Sequence, residues 1–381
     1  MMRIGVDVKA FKNGTTGIAR YLRTILDRLQ ELDRENEYVL FSCAPTDYTI
    51  VNLRWKMVIT PWKLPGIVWQ QKVLPGLLKR HAIDILWAPE QMAPVFASRR
   101  IPVITTIYDL AFLRYPKTCV WSNRLIQRYL LPLAIRRSAI VSPISDFVAD
   151  EVAATYKKAL RGRSIVPVCC GGPAWSTPSG YSAKNRQDFL FFAGNLEPRK
   201  NLIRLIGALE ILRRDHGLSI PLHLAGPAGW KNQSLHAVID ASIIKNDIVF
   251  RGYLSEAALK QEYLTCRALI YPSLYEGFGL PVLEALSLDC LVLTSEHTVM
   301  QEVAGSCALY FDPENPASIA DTIRHISQPE FDRAAILGRS GEVLAKYSWE
   351  QAARTLQDAM RGLKAGQVLP VSTQEVRRKE L

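Results

Sequence analysis

Residues 269 to 285 read LIYPSLYEGFGLPVLEA, and this stretch decides how the rest of the chain is read. The apolar run Ala268 to Tyr271 has the length and content of a buried strand, Pro281 suits a first helical position, and Val282 to Leu288 opens a helix. Glu276 is therefore expected in the loop and Glu284 in the first helical turns. Gly277 and Gly279 carry no Cβ, so a ligand can come against the backbone there, where a helix start favours phosphate or polarised hydroxyls. A carboxylate accepts two hydroxyl hydrogen bonds at once, which suits sugars and ribose. Strand, glycine turn and paired carboxylates outline a sugar-nucleotide pocket. An ordinary strand-to-helix connection, with a Glu near the helix start for dipole reasons, is the competing account.

At 381 residues the chain is too long for one compact core and fits two domains. A hydrophobic content of 48% with 22% charged residues describes a globular protein. No run of eighteen apolar residues occurs, and the first thirty residues carry no signal-peptide pattern, so a cytoplasmic location is expected. The seven Cys show no Cys-x-x-Cys spacing, and reduced thiols are the expectation. Six scattered His and the absence of Asp-x-Asp give no sign of a protein-built metal site.

The net charge of +11 sits in one half: residues 1 to 180 hold 25 Lys and Arg against 13 Asp and Glu, and residues 181 to 381 hold 22 against 23. Between residues 51 and 137 there are 14 basic and 3 acidic residues, interleaved with Trp55, Trp62, Trp69, Trp87 and Trp121. Basic side chains beside aromatics suit an anionic membrane surface. Ile67 to His81 and Trp121 to Arg137 both mix apolar positions at helical spacing with basic ones, and either could lie on such a surface or pack into its own domain. No nucleic-acid-binding signature accompanies the charge, so nucleic acid is not expected as a partner.

Strand-like and helix-like segments alternate throughout, the mark of parallel sheets covered by helices. Strands are expected at Met2–Asp7, Val39–Ser42, Ile83–Ala88, Val103–Tyr108, Ala139–Pro143 and Ile165–Cys169, with helices at Gly17–Glu31 and from Asp146. Gly171 to Arg186 is rich in Gly, Pro and Ser and reads as a linker. A second alternation follows, with strands at Phe189–Gly194, Leu222–Ala225, Ile248–Phe250, Leu291–Thr294 and Ala308–Phe311, and helices at Leu202–Arg214, Leu235–Ala241 and Glu256–Cys266. Domain boundaries are expected at 1–172, a linker at 173–186, a second domain at 187–345, a helix at 346–365 and a tail at 366–381. Ligands of doubly wound sheets sit at the carboxyl ends of the strands. There the second half places Asn195-Leu-Glu-Pro-Arg-Lys-Asn201, whose Arg199 and Lys200 can converge with a helix start on a diphosphate.

The unbroken run Glu276-Gly-Phe-Gly-Leu-Pro-Val-Leu-Glu284-Ala resembles the signature of glycosyltransferase family 4, the retaining GT-B sugar transferases. The resemblance implies an α/β protein of GT-B type, with two doubly wound Rossmann-like domains facing each other across a cleft and a last helix crossing back to the first. It implies that Glu276 holds the donor sugar, Glu284 holds the nucleotide ribose, and Arg199 and Lys200 bind the donor diphosphate. Gly277, Phe278, Gly279 and Leu280 would border the donor. Gly17, in a loop with only two glycines and hence no dinucleotide fingerprint, would allow close backbone approach or merely cap a helix. Many relatives place a His before the Asp of the segment 105 to 115. This chain has Tyr108, which is hardly charged near neutrality, and keeps Asp109, which orients acceptor or sugar or makes a local turn. Glu302 either borders the nucleotide or stabilises a helix start.

The implied reaction is retaining transfer of a hexose to a hydroxyl of a glycan or lipid-linked acceptor in surface polysaccharide or lipopolysaccharide synthesis, without cofactor or metal. GDP-mannose is the first donor expected, with UDP-glucose and dTDP-rhamnose open. A nucleotide-sugar epimerase or hydrolase on the same fold, or a non-catalytic glycan- or membrane-binding scaffold, are the alternatives. A basic first half fits peripheral binding at the cytoplasmic membrane.

Overall fold

The structure, a computed structural model, describes residues 1–13, 16–63, 65–181, 186–227, 229 and 233–366. The chain divides into two compact units. The first comprises Met1–Gly171 together with the chain from Tyr347 onward, and the second comprises Gly172–Lys346.

In the first unit, strands β1 (Arg3–Asp7), β2 (Glu37–Ser42), β3 (Trp55–Ile59), β4 (Ile85–Ala88), β5 (Val103–Ile107), β6 (Ile140–Pro143) and β7 (Ser164–Ile165) form one parallel sheet. Their order is β3-β2-β1-β4-β5-β6-β7. The central strands are buried on both faces, which is why they read as apolar runs rather than alternations. The helix Gly17–Leu32 begins where Thr16 Oγ1 accepts from the Ala19 N–H at 3.2 Å. It buries Tyr21, Leu22, Ile25, Leu26 and Leu29, an apolar stripe at helical spacing. The helix Trp349–Lys364 packs against it with Ala352, Ala353, Leu356, Ala359 and Met360 buried. Where the chain leaves the first unit, a Cβ on Gly171 would come within 2.3 Å of the Trp349 backbone nitrogen, so only glycine fits.

The second unit holds β8 (Leu190–Ala193), β9 (Leu222–Ala225), β10 (Ile248–Gly252), β11 (Ala268–Tyr271), β12 (Leu291–Ser295) and β13 (Leu309–Phe311). They pair in parallel in the order β10-β9-β8-β11-β12-β13. Both sheets are doubly wound. Strand order reverses between β1 and β4 in the first and between β8 and β11 in the second, and such reversals are where these folds open a crevice for ligands.

Three sequence expectations change. Strand β3 has no counterpart among them. The strand expected at Ile165–Cys169 is only Ser164–Ile165, because Pro167 has no N–H to continue the ladder, although Val166 and Val168 still donate to β6 at 2.9 and 2.8 Å. Ile67–His81 is not one helix but two, Gly66–Lys72 and Leu74–Arg80, broken ahead of Pro75. Trp69, Leu74, Leu77 and Leu78 are buried, so this segment packs into its own unit. The helix Trp121–Arg137 forms over its full expected length but buries only Leu131, Ala134 and Ile135; Trp121 is 74% and Tyr129 67% exposed. No helix among the described residues is long and apolar enough to cross a membrane. Gly14, in the N-terminal loop, and residues 367–381, within the expected tail, lie outside the described residues.

Candidate active site

After β8 the chain turns through Asn195 and Glu197 into a short 3-10 turn, Pro198–Lys200. Asn201 then adopts a left-handed conformation (φ +62°) and donates to the Pro313 carbonyl at 2.6 Å, and the helix Leu202–His216 begins. Asn tolerates this conformation better than most residues, which lets the turn aim Arg199 and Lys200 back over the sheet. After β11 the loop Pro272–Gly279 comes up beside it, and the Leu274 N–H bonds the Arg199 carbonyl at 3.0 Å.

The two segments meet in one buried ion cluster across the β8–β11 reversal. Arg199 Nη1 lies 2.7 Å from Glu276 Oε2 and donates to the Tyr275 carbonyl at 2.5 Å, while Nη2 bonds Glu197 Oε1 at 2.7 Å. Lys200 Nζ donates to the other Glu276 oxygen at 2.6 Å and to the Tyr271 phenol at 2.6 Å. Burial alone would push the Glu276 carboxyl up. Arg199 and Lys200 outweigh it and hold the group at about 2, so it is ionised. Lys200 is displaced upward for the matching reason, with burial opposing and the Glu276 charge prevailing.

Sequence reasoning separated these three residues into a sugar-holding carboxylate and a diphosphate-binding basic pair; the structure joins them. It also brings in Tyr271 and Glu197, which the sequence reading passed over, although each lies next to a stretch already singled out.

Glu284 lies within the helix Leu280–Ser287, 2% exposed, and its Oε2 accepts from the Tyr263 hydroxyl at 2.9 Å. Burial first, and then the Glu284 charge, keep the Tyr263 phenol protonated and able to donate. Pro281 is the second helical residue rather than the first. Gly279, just before the helix, has φ +132°, and a Cβ there would meet Met300 Sδ at 2.8 Å, so the turn requires glycine. Gly277 and Phe278 are buried and Leu280 is half-buried. Glu302 is half-buried in the first turn of the helix Val299–Ala304. Buried hydroxyls of Ser273 and Ser295, at the carboxyl ends of β11 and β12, have no hydrogen-bond partner.

The remaining expected residues belong to the first unit. Tyr108 follows β5, is 8% exposed, and sits edge-on to Tyr21 with ring centres 5.5 Å apart; its hydroxyl has no partner. Asp109 Oδ1 accepts from the Ala111 N–H at 3.0 Å, the local turn that was one of its two readings. Gly17 is the first residue of its helix, and a Cβ there would meet nothing within 4 Å. No packing demand explains this glycine.

The family model described as "Glycosyltransferase Family 4" matches residues 15–171, and "Glycosyl transferases group 1" matches residues 176–343. The chain belongs to glycosyltransferase family 4. It is 26% identical to the O-antigen chain mannosyltransferase RfbU of Salmonella typhimurium, over 91% of this chain and 96% of that protein. It is also 26% identical to the O-antigen chain mannosyltransferase B of Escherichia coli, over 65% of this chain and 67% of that one. Among solved structures it resembles sucrose-phosphate synthase from Thermosynechococcus elongatus (TM-score 0.74, 15% identity, 96% and 100% of the two chains). It also resembles Anabaena HepE in complex with UDP and glucose (TM-score 0.70, 16% identity, 95% and 100%). These likenesses show the GT-B fold. The family 4 protein described here is a glycosyltransferase that takes a nucleotide-sugar donor.

Proposed function

We propose that this enzyme transfers mannose from GDP-mannose, with retention, to a hydroxyl of a glycan or lipid-linked acceptor in surface polysaccharide synthesis. The observation that carries the reading is the Arg199–Glu276–Lys200 cluster at the strand-order reversal of the second sheet. Mannose is supported by the two O-antigen mannosyltransferases, each 26% identical to this chain.

In this reading the donor diphosphate approaches Arg199 and Lys200, whose charge stabilises the leaving nucleoside diphosphate as its bond to the anomeric carbon breaks. Glu276, held ionised, positions the hexose, with Gly277 to Leu280 bordering the donor. Glu284 takes the ribose hydroxyls, and Glu302 flanks the nucleotide. Gly17, Tyr108 and Asp109 serve from the first unit. The departing phosphate accepts the acceptor's proton on the same face, so no nucleophilic carboxylate is required. Peripheral binding to the cytoplasmic face of an anionic membrane is supported by the helix Trp121–Arg137, which exposes Trp121, Leu125, Ile126 and Tyr129 beside Arg124 and Arg128.

The test is thermal unfolding with GDP, UDP and dTDP and their sugars, in EDTA, for the native enzyme and Arg199→Ala. Saturable stabilisation by GDP and GDP-mannose, weakened in the variant, is expected. Stabilisation by UDP or dTDP alone would overturn the donor assignment.

A further inference from the structure

The ion cluster of the second sheet sets two cations, Arg199 and Lys200, against two carboxylates, Glu197 and Glu276. Its charges balance, so a diphosphate, with at least two negative charges of its own, would meet a neutral group of side chains. The two carboxylates are not held alike. Glu276 is fixed through both oxygens, Oε2 at 2.7 Å from Arg199 Nη1 and Oε1 at 2.6 Å from Lys200 Nζ. Glu197 is held through one, Oε1 at 2.7 Å from Arg199 Nη2, and its side chain makes no other ion pair among the described residues.

The Glu197 side chain hangs from a fixed backbone. Its N–H donates to the Asn195 carbonyl at 2.9 Å, its carbonyl accepts from the Lys200 N–H at 2.9 Å, and its extended conformation is the one that a following proline favours. Rotation about its own side-chain bonds is therefore what separates it from Arg199. There is room for that rotation, because Glu197 lines a cavity of about 290 Å³ together with Asn201, Arg204 and Leu235. On that wall Arg204 Nη1 donates to Asn201 Oδ1 at 2.9 Å, and Arg204 has no carboxylate partner among the described residues. The Arg199 and Glu197 side chains are 17% and 16% exposed, so their pair is neither sealed from water nor fully screened by it.

We propose that Glu197 competes with the donor diphosphate for Arg199 and thereby sets the enzyme's affinity for nucleotide sugar and for the nucleoside diphosphate product. As phosphate oxygens take Arg199 Nη2, the Glu197 carboxylate turns into the cavity on the Arg204 side, while Glu276 stays in place. The exchange leaves one net positive charge facing the diphosphate. The inference rests on the reading of Arg199 as a diphosphate ligand. Apparent affinity is reduced by the fraction of molecules in which Arg199 is released from Glu197. The same competition weakens the hold on the departing diphosphate and favours its release.

Calorimetry with GDP, UDP and inorganic pyrophosphate compares the native enzyme, Glu197→Gln, Arg199→Ala and the double variant. Glu197→Gln is expected to bind pyrophosphate, and whichever nucleoside diphosphate the native enzyme binds, about threefold to tenfold more tightly. The gain should vanish in the Arg199→Ala background, where there is no guanidinium to compete for. Glu197→Asp, one methylene shorter but still charged, should show part of the gain and serves as the second variant if the Gln form folds poorly. Weaker binding by Glu197→Gln would mean that Glu197 only aims Arg199, and unchanged binding that the pair carries no weight; either overturns the proposal and leaves the donor reading intact. A gain that persists without Arg199 would reduce the effect to long-range charge and overturn it as well. Binding of UDP in place of GDP would strike the base assignment, with UDP and pyrophosphate still deciding the role of Glu197. Diphosphate binding by none of the four proteins would bring down the reading of Arg199 and this proposal with it.

Discussion

Lys9 and Lys200 hold equivalent places in their own sheets: each ammonium bonds a glutamate across the gap where strand order reverses, Glu90 in the first and Glu276 in the second. The two clusters differ in composition: Asp7, Lys9 and Glu90 in the first, and Glu197, Arg199, Lys200 and Glu276 in the second. Lys9 lies between two carboxylates, Asp7 and Glu90, whereas Glu276 lies between two cations, Arg199 and Lys200.

Replacing Glu276 by Gln leaves the buried Lys200 without its carboxylate and Arg199 with Glu197 alone. Removing one partner of a buried ion pair costs on the order of 3–5 kcal/mol, so the urea midpoint should fall markedly. Because Lys200 then lacks a carboxylate and Arg199 keeps only Glu197, GDP should recover part of that loss by binding. A variant as stable as the native enzyme, or one that GDP does not protect, would remove the cluster from the account.

Acid should expose the same cluster. The Glu276 carboxyl is displaced from its ordinary 4.5 to about 2, so the folded state favours its charged form. That stabilisation is complete above about pH 4.5 and fades as pH falls toward 2. The stability difference between native enzyme and Glu276→Gln should therefore shrink as pH is lowered below 4.5 in denaturant titrations. A gap that stays constant from pH 6 to 3 would contradict the assignment.

Gly279→Ala should destabilise the second unit by about 1–3 kcal/mol through its backbone conformation and the contact with Met300. Adding Met300→Ala relieves the contact and not the φ of +132°, so the double variant should stay below native stability. Full recovery in calorimetric scans would show that crowding alone made glycine necessary.

Vesicles containing phosphatidylglycerol should bind the enzyme, and the affinity should fall steeply between 50 mM and 300 mM salt. Trp121→Ala with Tyr129→Ala should weaken binding severalfold without altering the thermal midpoint, because both side chains are exposed. Sedimentation that ignores salt, or these two substitutions, would rule out this helix as the contact.

Most strands were legible because buried parallel strands read as short apolar runs. Strand β3 was not: WKMVI lies at the sheet edge, partly exposed, with Lys56 breaking the run. Glu276 and Glu284 could be read from local spacing, since one turn and one helix connect them. The bonds from Lys200 to Glu276 and from Lys9 to Glu90 join residues far apart in sequence, and only strand order brings them together. Hence neither Glu90 nor Lys9 stood out in the sequence.

The contact of Gly171 with Trp349 bears on how the protein is made. The second unit is inserted between two parts of the first, so a chain leaving the ribosome completes residues 172–346 before the helix Trp349–Lys364 exists. Until then Tyr21 lacks the Trp349 ring that meets it edge-on at 5.9 Å, while the later-made unit already has its strands β8 to β13. Nascent chains stalled after Lys346 should therefore carry a protease-resistant second unit and a cleavable first one. Among the described residues, the helix made last packs against the helix made first.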